Sequence, residues 1–156
     1  MTWDVLQQIL IGLAMITFTV GFHAFALDTI IKTIRPIESP IKTYLPRFWR
    51  AVVVSIVVLK VFIAHLIEIF FWALLYLWLD IPALSDLESA LYYSTSSFTT
   101  VGFGDLVLDV DWRLLGSFES ACGFILFGLS AAFIFEIIAP LYRVDKRNIM
   151  FSADQD

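Results

Sequence analysis

The chain carries the stretch Thr99-Thr100-Val101-Gly102-Phe103-Gly104-Asp105, which lies between two apolar runs that are each long enough to cross a lipid bilayer. A glycine-containing, non-helical segment at membrane depth needs a special reason to exist. Lipid offers no partners to free backbone N–H and C=O groups, so such a segment must line water or bind an ion. This stretch therefore decides the fold and points to the function.

The composition indicates a membrane protein independently of that stretch. Of the 156 residues, 60% are apolar and only 16% are charged, and the mean hydropathy is +0.85. A soluble domain of this size could not cover its surface with so few polar residues. The single cysteine, Cys122, excludes an intrachain disulfide. Residues 1–4 lack the basic region of a cleavable signal peptide, so we expect the first apolar segment to remain in the protein.

Three segments are long enough to span a membrane, at about residues 5–27, 50–79 and 112–142. We expect residues 1–27 to form an N-terminal transmembrane helix and residues 28–49 to form a basic loop. Pro36, Pro40 and Pro46 predict that this loop is not one continuous helix. Residues 143–156 are expected to form a short tail after the last span.

The distribution of charge predicts the orientation of these spans. The loop and the tail carry most of the basic residues, and the positive-inside bias assigns both to the cytoplasm. The stretch between the second and third spans is acidic and is assigned to the outside. An N-terminus outside, three spans and a C-terminus in the cytoplasm satisfy these assignments.

A half-length helix is predicted on the outer side, over residues 86–98. Ser85-Asp86-Leu87-Glu88 has the pattern of a capping box that starts a helix. About 12 helical residues span about 18 Å, which reaches only halfway through a bilayer. We expect a re-entrant helix whose C-terminal end, the negative end of its dipole, faces a cation in the centre. The alternative is a helix in an extracellular loop.

Residues 81–142, with the second span, resemble the pore of potassium channels. In this resemblance residues 50–80 are the outer helix, 86–98 the pore helix, 99–105 the filter and 112–142 the inner helix of a pore domain over residues 50–142. The selectivity filter corresponds to Thr100, Val101, Gly102, Phe103 and Gly104, with phenylalanine in the usual tyrosine position. The resemblance implies an all-α membrane protein with three transmembrane helices, a re-entrant pore helix and a homotetrameric pore.

Potassium selectivity requires rings of oxygen that replace the water around a dehydrated cation. Gly102 and Gly104 can adopt positive φ without a side-chain penalty, and alternating handedness turns successive carbonyls toward one axis. The hydroxyl of Thr100 can add a further ring. One chain supplies one wall, so about four copies are needed to close the rings. Asp105 would stand at the outer mouth and concentrate cations.

The resemblance also assigns residues that support the filter. Tyr92 and Tyr93 occupy the positions of a common tryptophan pair and are expected to form an aromatic cuff, although Phe103 lacks the hydroxyl that would bond to it. Ser96 stands where some relatives place a glutamate that pairs with the aspartate after the filter. For Glu119 the default expectation is an ordinary helix-packing hydrogen bond, and the alternative is that it supports the filter by a hydrogen bond to Ser96 or Ser97 in place of that pair.

Two features of the third span are candidates for gating. Gly123 is either a hinge or a point of close helix packing. One helical face carries Phe124, Phe127, Ala131 and Phe135, which would line a cavity and gate it by dewetting, or else face lipid or the core. Pro140 is expected to end or kink the helix.

Ionisable residues inside the spans need partners. His65 and Glu68, three residues apart on one helix face, are expected to pair, either as simple packing or as a pH-sensitive pair. Lys60 is expected to snorkel toward the cytoplasm or to pair with Glu136. The first span is expected to pack at the periphery through Gly12, Ala14 and Gly21.

The sequence thus predicts a non-enzymatic, passive potassium channel of the plasma or inner membrane. Its partners would be three further copies of itself and lipid, with no nucleic acid, no cofactor apart from the permeant K⁺, no voltage sensor and no soluble regulatory domain. The alternatives are a weakly selective cation channel, a membrane subunit of a K⁺ uptake transporter, and a non-conducting membrane protein.

Overall fold

The computed structural model describes the backbone of residues 3–153 and the side chains of residues 5–142. Over these residues it is all-helical, as predicted. The helices are α1 (Trp3–Tyr44), α2 (Trp49–Trp78), α3 (Leu87–Phe98) and α4 (Arg113–Ala153), with a 3-10 turn at Pro82–Leu84 before α3. Three of them, α1, α2 and α4, are long and apolar enough to cross a membrane, which confirms the three predicted spans.

The prediction of a basic loop over residues 28–49 is wrong for residues 28–44, which belong to α1; the helix is interrupted only at residues 45–48, which include Pro46. Helix α1 runs through Pro36 and Pro40 as far as Tyr44. Packing explains the difference: Ile30 and Ile34 are buried against α2 and Phe133 of α4, and Ile37 and Ile41 pack at the edge of the same cluster. The spacing of these four isoleucines keeps one helical face apolar, and burial of that face outweighs the hydrogen bonds that the prolines remove.

A second apolar cluster joins α2, α3 and α4 near the other end of the molecule. Trp72 and Tyr76 of α2, Phe98 of α3 and Leu115 of α4 are fully buried in it. This cluster places the C-terminal end of α3 between α2 and α4. The segment that follows α3 is therefore held at a fixed position between two apolar helices.

Helix α1 is integrated with the other helices rather than lying loosely beside them. At Gly12 the ring of Phe118 approaches so closely that a Cβ would lie 2.4 Å from it. The buried side chain of Gln8 accepts a hydrogen bond from the backbone N–H of Leu114, at the start of α4 (3.0 Å). Within the single chain Ala14 is exposed and Gly21 has open space around it, so of the three predicted small residues only Gly12 packs on another helix of the same chain.

The ends of α3 and α4 differ from the predicted ones. Asp86, not Ser85, is the N-cap of α3, and its carboxylate accepts from the backbone N–H of Ser89. Helix α4 continues through Pro140 to Ala153, so the proline does not end it. Much of the predicted tail 143–156 is thus helical backbone; its side chains, including the basic ones, lie outside the described residues.

Candidate functional site

The segment of residues 99–105 has a backbone of alternating handedness. Thr100, Gly102 and Gly104 adopt φ angles of 60°, 59° and 77°. The two glycines carry no steric penalty in this region, whereas a β-branched threonine there is strained. Sequence reasoning predicted positive φ for the glycines only; Thr100 was missed because the preference of its side chain argues against that conformation.

The backbone N–H groups of this segment turn toward α3. The amide of Thr100 donates to the carbonyl of Ser97 (2.9 Å), and those of Val101 and Gly102 donate to the carbonyl of Ser96 (3.0 and 3.1 Å). The amide of Phe103 donates to the hydroxyl of Ser96 (3.1 Å). Four consecutive donors are therefore occupied on one side of the segment, and Ser96 receives three of them.

The outer end of the segment is held by Tyr92 of α3. Its hydroxyl donates to Oδ2 of Asp105 (2.6 Å), and its ring stacks on Phe103 with 6.1 Å between ring centroids. The Tyr92 hydroxyl lowers the pKa of Asp105 below its ordinary value, because it stabilises the ionised carboxylate. Asp105 thus has a partner on α3 in place of the glutamate that Ser96 replaces.

Tyr93 packs on α2 and α4. Its ring meets Tyr76 of α2 edge to face (5.3 Å between centroids), and its hydroxyl packs so closely on Gly116 of α4 that a Cβ there would lie 2.1 Å from it. Tyr92 therefore contacts the segment directly, whereas Tyr93 fixes the position of α3 between α2 and α4.

Glu119 does not contact Ser96 or Ser97, so that prediction is wrong. The carboxyl group is fully buried and receives a hydrogen bond from the hydroxyl of Tyr76 (2.6 Å). Its other oxygen contacts the hydroxyl of Ser94 on α3. Because α3 turns Ser94 toward α2 and α4 and Ser96 toward the segment, Glu119 joins helices rather than bracing the segment itself.

Gly123 lies where the backbone of α3 touches α4. A Cβ at this position would lie 2.0 Å from the carbonyl oxygen of Phe98. Helix α4 continues through Gly123 without a break. Of the two roles that the sequence allowed for Gly123, hinge or close helix packing, the structure shows close packing.

The four candidate cavity residues of α4 do not share one environment. In the single chain Phe124 and Phe135 are 71% and 70% exposed, and Ala131 is exposed as well. Phe127 instead packs inward on His65, with 4.6 Å between ring centroids, and on Phe98. Phe127, itself 37% exposed, therefore lies between the uncovered face and the interior, and the other three lie on the uncovered face.

A buried polar cluster lies between α1, α2 and α4. Glu68 contacts His65 on its own helix, as expected for the pair, and also His23 of α1, with 2.8 Å between the atoms in both cases. Ser130 of α4 contacts both imidazoles. His23 was missed because only the packing of α1 on α2 brings it close; its placement inside an apolar helix was the available signal.

The two histidines and Glu68 form a group of potential metal ligands, whose candidate atoms lie within 4.8 Å of one another. Hydrogen-bond contacts already account for these atoms. Lys60 does not pair with Glu136, because its ammonium group donates instead to the hydroxyl of Thr33 on α1 (3.0 Å). Glu136 is exposed in the single chain.

Comparison with known proteins bears on the part of the chain that holds this site. A family model described as ion channel matches residues 62–139, half of the chain. The chain belongs to this ion channel family. No curated protein and no solved structure matches it.

The match places the site residues inside the ion channel domain. It begins in α2, includes α3 and the segment of residues 99–105, and ends in α4. With three helices of membrane-spanning length, the channel is an integral membrane protein. Helix α1 precedes the matched region, although it supplies Gln8 and His23 to contacts with helices inside that region.

Proposed function

We propose that this channel conducts K⁺ selectively and passively through a pore formed by four identical chains, with residues 100–104 as the selectivity filter. The observation that carries the proposal is the backbone of that segment. Positive φ angles at Thr100, Gly102 and Gly104 alternate with ordinary ones. Such alternation turns successive carbonyl groups toward the same side, as a dehydrated cation requires.

The hydrogen bonds of the segment support the same function. The amides of residues 100–103 all donate toward α3, so the opposite side of the segment is left to carbonyl oxygens. Helix α3 ends beside the segment, and the negative end of its dipole favours a cation nearby. Because the amides of residues 100–103 are already occupied, an anion would find no free donor among them.

The uncovered surfaces support a symmetric assembly. Val101 and Phe103 are 55% and 67% exposed in the single chain, and Phe124 and Phe135 of α4 are exposed as well. One segment supplies one wall of a pore, and closing oxygen rings around an ion takes about four copies about an axis. In this assembly α3 enters the membrane from outside, Asp105 lines the outer mouth, and the C-terminus is cytoplasmic.

The test is a flux measurement on the full chain reconstituted in liposomes with K⁺ inside and Na⁺ outside. We expect K⁺ efflux from wild type, loss of efflux for Gly102→Ala, and normal efflux for Gly21→Ala. Gly102 has a φ angle of 59°, which alanine adopts only with strain, whereas a Cβ at Gly21 meets nothing within 4 Å. Equal flux from all three proteins would contradict the proposal, as would a chemically cross-linked assembly of other than four chains.

A weakly selective cation channel is the second candidate, and one observation favours it. Phe103 has no hydroxyl. Its backbone amide bonds to Ser96, and its ring stacks on Tyr92 without a side-chain hydrogen bond. A filter held less rigidly discriminates less between cations of different size. Reversal potentials with opposed K⁺ and Na⁺ gradients separate the two: a value near the K⁺ equilibrium potential supports selectivity, and one near zero supports the alternative.

A further inference from the structure

The buried four-residue cluster of His23, His65, Glu68 and Ser130 connects three helices by a closed circuit of four contacts. Oε1 and Oε2 of Glu68 each lie 2.8 Å from an Nδ1 atom, of His23 and His65 respectively. Oγ of Ser130 lies 2.9 Å from Nε2 of His65 and 3.2 Å from Nε2 of His23. All four side chains are buried.

The number of hydrogens in this circuit follows from its chemistry. Each of the four contacts needs one hydrogen, and the hydroxyl of Ser130 supplies one of them while its oxygen accepts another. The other three must come from the two imidazoles and the carboxyl group. With Glu68 ionised, three of the four imidazole nitrogens carry hydrogen, so one histidine is an imidazolium and the other is neutral.

That occupancy also makes the cluster electrically neutral. One imidazolium balances one carboxylate, so the cluster places no net charge in the apolar membrane interior, where an unpaired charge is costly. A divalent metal ion in place of the shared hydrogens would meet a single carboxylate and leave a net positive charge in the same place. The Nδ1 to carboxylate distances are those of direct hydrogen bonds.

Either a gain or a loss of one proton acts on the contacts of Ser130. With one proton fewer, both Nδ1–H groups still donate to Glu68, but one of the two contacts of Ser130 has no hydrogen. With one proton more, both Nε2–H groups donate to Oγ of Ser130. Among the described residues its hydroxyl contacts only these two nitrogens, so the displaced hydroxyl hydrogen then lacks a partner.

Ser130 is the only member of the cluster on α4, whereas the histidines and Glu68 lie on α1 and α2. Phe98 of α3 and Phe127 of α4 pack on His65 and bring no charge. Cys122 of α4 is a further titratable side chain in this region, and its buried thiol makes none of the four contacts. A change in protonation therefore alters the hydrogen bonds of Ser130, which are the contacts of this cluster that join α4 to α1 and α2.

We propose that this cluster is a proton-binding site that holds one shared proton in its resting state, and that a change in its occupancy weakens the attachment of α4 to α1 and α2. The regulatory half of this statement rests on the proposed function, in which α4 is the inner helix. The proton count itself does not depend on it.

The chain has two histidines, so nitrogen NMR of a sample labelled with ¹⁵N-histidine and reconstituted in lipid reports on this cluster alone. At pH 7 we expect wild type to show three protonated imidazole nitrogens out of four. The variant Glu68→Gln should show two: its amide accepts from one Nδ1–H and donates to the other Nδ1, which completes the circuit with both histidines neutral. Glu119→Gln, at a buried carboxyl that contacts no histidine, is the matched control and should match wild type.

Two neutral histidines in wild type would overturn the proposal, as would a spectrum unchanged by Glu68→Gln or stoichiometric Zn²⁺ retained by the purified protein after incubation with zinc. K⁺ efflux between pH 5 and pH 8 tests the regulatory half, with wild type expected to respond to pH and Glu68→Gln to lose that response. A pH-independent wild type, or a variant that responds like it, would refute regulation by the cluster. An absence of any K⁺ efflux would refute the proposed function and leave the NMR result valid.

Discussion

The hydroxyl of Tyr92 donates a 2.6 Å hydrogen bond to the carboxylate of Asp105, which ties the middle of α3 to the outer end of the filter segment. Along residues 100–103 the segment is held through its backbone, by four amides of which one bonds to Ser97 and three bond to Ser96. The bond between Tyr92 and Asp105 is therefore a side-chain brace at the Asp105 end of the segment.

Replacing Tyr92 by phenylalanine removes this brace and keeps the ring that stacks on Phe103. We expect Tyr92→Phe to shorten the conducting periods of single channels, because the outer end of the segment is then free to rearrange. Asp105→Ala should have a similar effect, and the double variant should add little to either, since both remove the same bond. Tyr44→Phe, at an exposed tyrosine of α1, is the control; additive effects would show that the two residues act separately.

Glu119 should tolerate glutamine far better than alanine. Ser94 has one hydroxyl hydrogen and contacts both the carbonyl of Ile69 (2.9 Å) and Glu119; a neutral Glu119 that donates to Ser94 satisfies every contact. Glutamine can donate to Ser94 and accept from Tyr76 in the same way. We therefore expect Glu119→Gln to lower the free energy of unfolding by less than about 1 kcal/mol. Glu119→Ala leaves two buried hydroxyls without this partner and should cost about 3 kcal/mol. Thermal unfolding in detergent measures both; equal losses would show that Glu119 is ionised.

Gly123→Ala should disturb the end of α3. Its Cβ would lie 2.0 Å from the backbone oxygen of Phe98, and backbone cannot move aside as a flexible side chain can. We expect Gly123→Ala to lower the free energy of unfolding by about 1–3 kcal/mol and to impair K⁺ conduction. Gly128→Ala is the matched control on the same helix, because a Cβ there meets nothing within 4 Å in the chain. A Gly123→Ala channel with normal stability but slowed opening would favour the hinge role instead.

Asp86 should stabilise α3 in a pH-dependent way. The backbone N–H and hydroxyl of Ser89 lower the pKa of Asp86 by donating to its carboxylate. A carboxyl group whose pKa is lower in the folded state contributes its full stabilisation above its ordinary pKa of about 3.9 and loses it as the pH falls through the lower folded value. We expect Asp86→Ala to melt at a lower temperature than wild type at pH 7, and the difference to shrink below pH 3.9. Asp86→Asn keeps a capping side chain that does not titrate, and its melting temperature should not show this loss of the cap at low pH. A melting-temperature difference between Asp86→Ala and wild type that stays constant with pH would contradict the prediction.

Gln8→Leu should weaken the attachment of α1 to α4. The substitution leaves the backbone N–H of Leu114 unpaired in a part-buried position, and a lost hydrogen bond with an orphaned donor costs about 1–3 kcal/mol. Gln7→Leu, at the exposed neighbouring position, should have no comparable effect. Hydrogen exchange of the first turn of α4 is the readout; unchanged protection in Gln8→Leu would show that water replaces the side chain.

The helices could be predicted from sequence because apolar length and a half-length helix are local signals. The continuity of α1 through Pro36 and Pro40 could not, since a proline signal is local and the packing of Ile30 and Ile34 that overrides it is not. The partner of Glu119 was misplaced for a related reason. Ser94 and Ser96 are two residues apart on α3. Only the rotation of α3 between α2 and α4 decides which of these serines faces the carboxyl group of Glu119.

The same limit explains the four-residue cluster. The pairing of His65 with Glu68 follows from a spacing of three on one helix, whereas His23 and Ser130 lie 45 and 62 residues from Glu68 in the sequence. Thr100 is a different case: its positive φ angle contradicts its intrinsic preference. Local rules fail there because the hydrogen bonds to α3 dictate the backbone, which is typical of functional segments.

Gln8 has a consequence for where this protein can be divided. The region that matches the ion channel family begins at residue 62, and a minimal pore cut at that point would appear complete by homology. It would lack the oxygen that accepts from the amide of Leu114, the imidazole of His23 that contacts Glu68, and the first part of α2, whose Val53 and Val57 lie in the apolar cluster with Ile30 of α1. The boundary of the family match therefore runs through α2, inside a set of helices that pack together, and α1, which lies outside the match, helps to hold the start of α4.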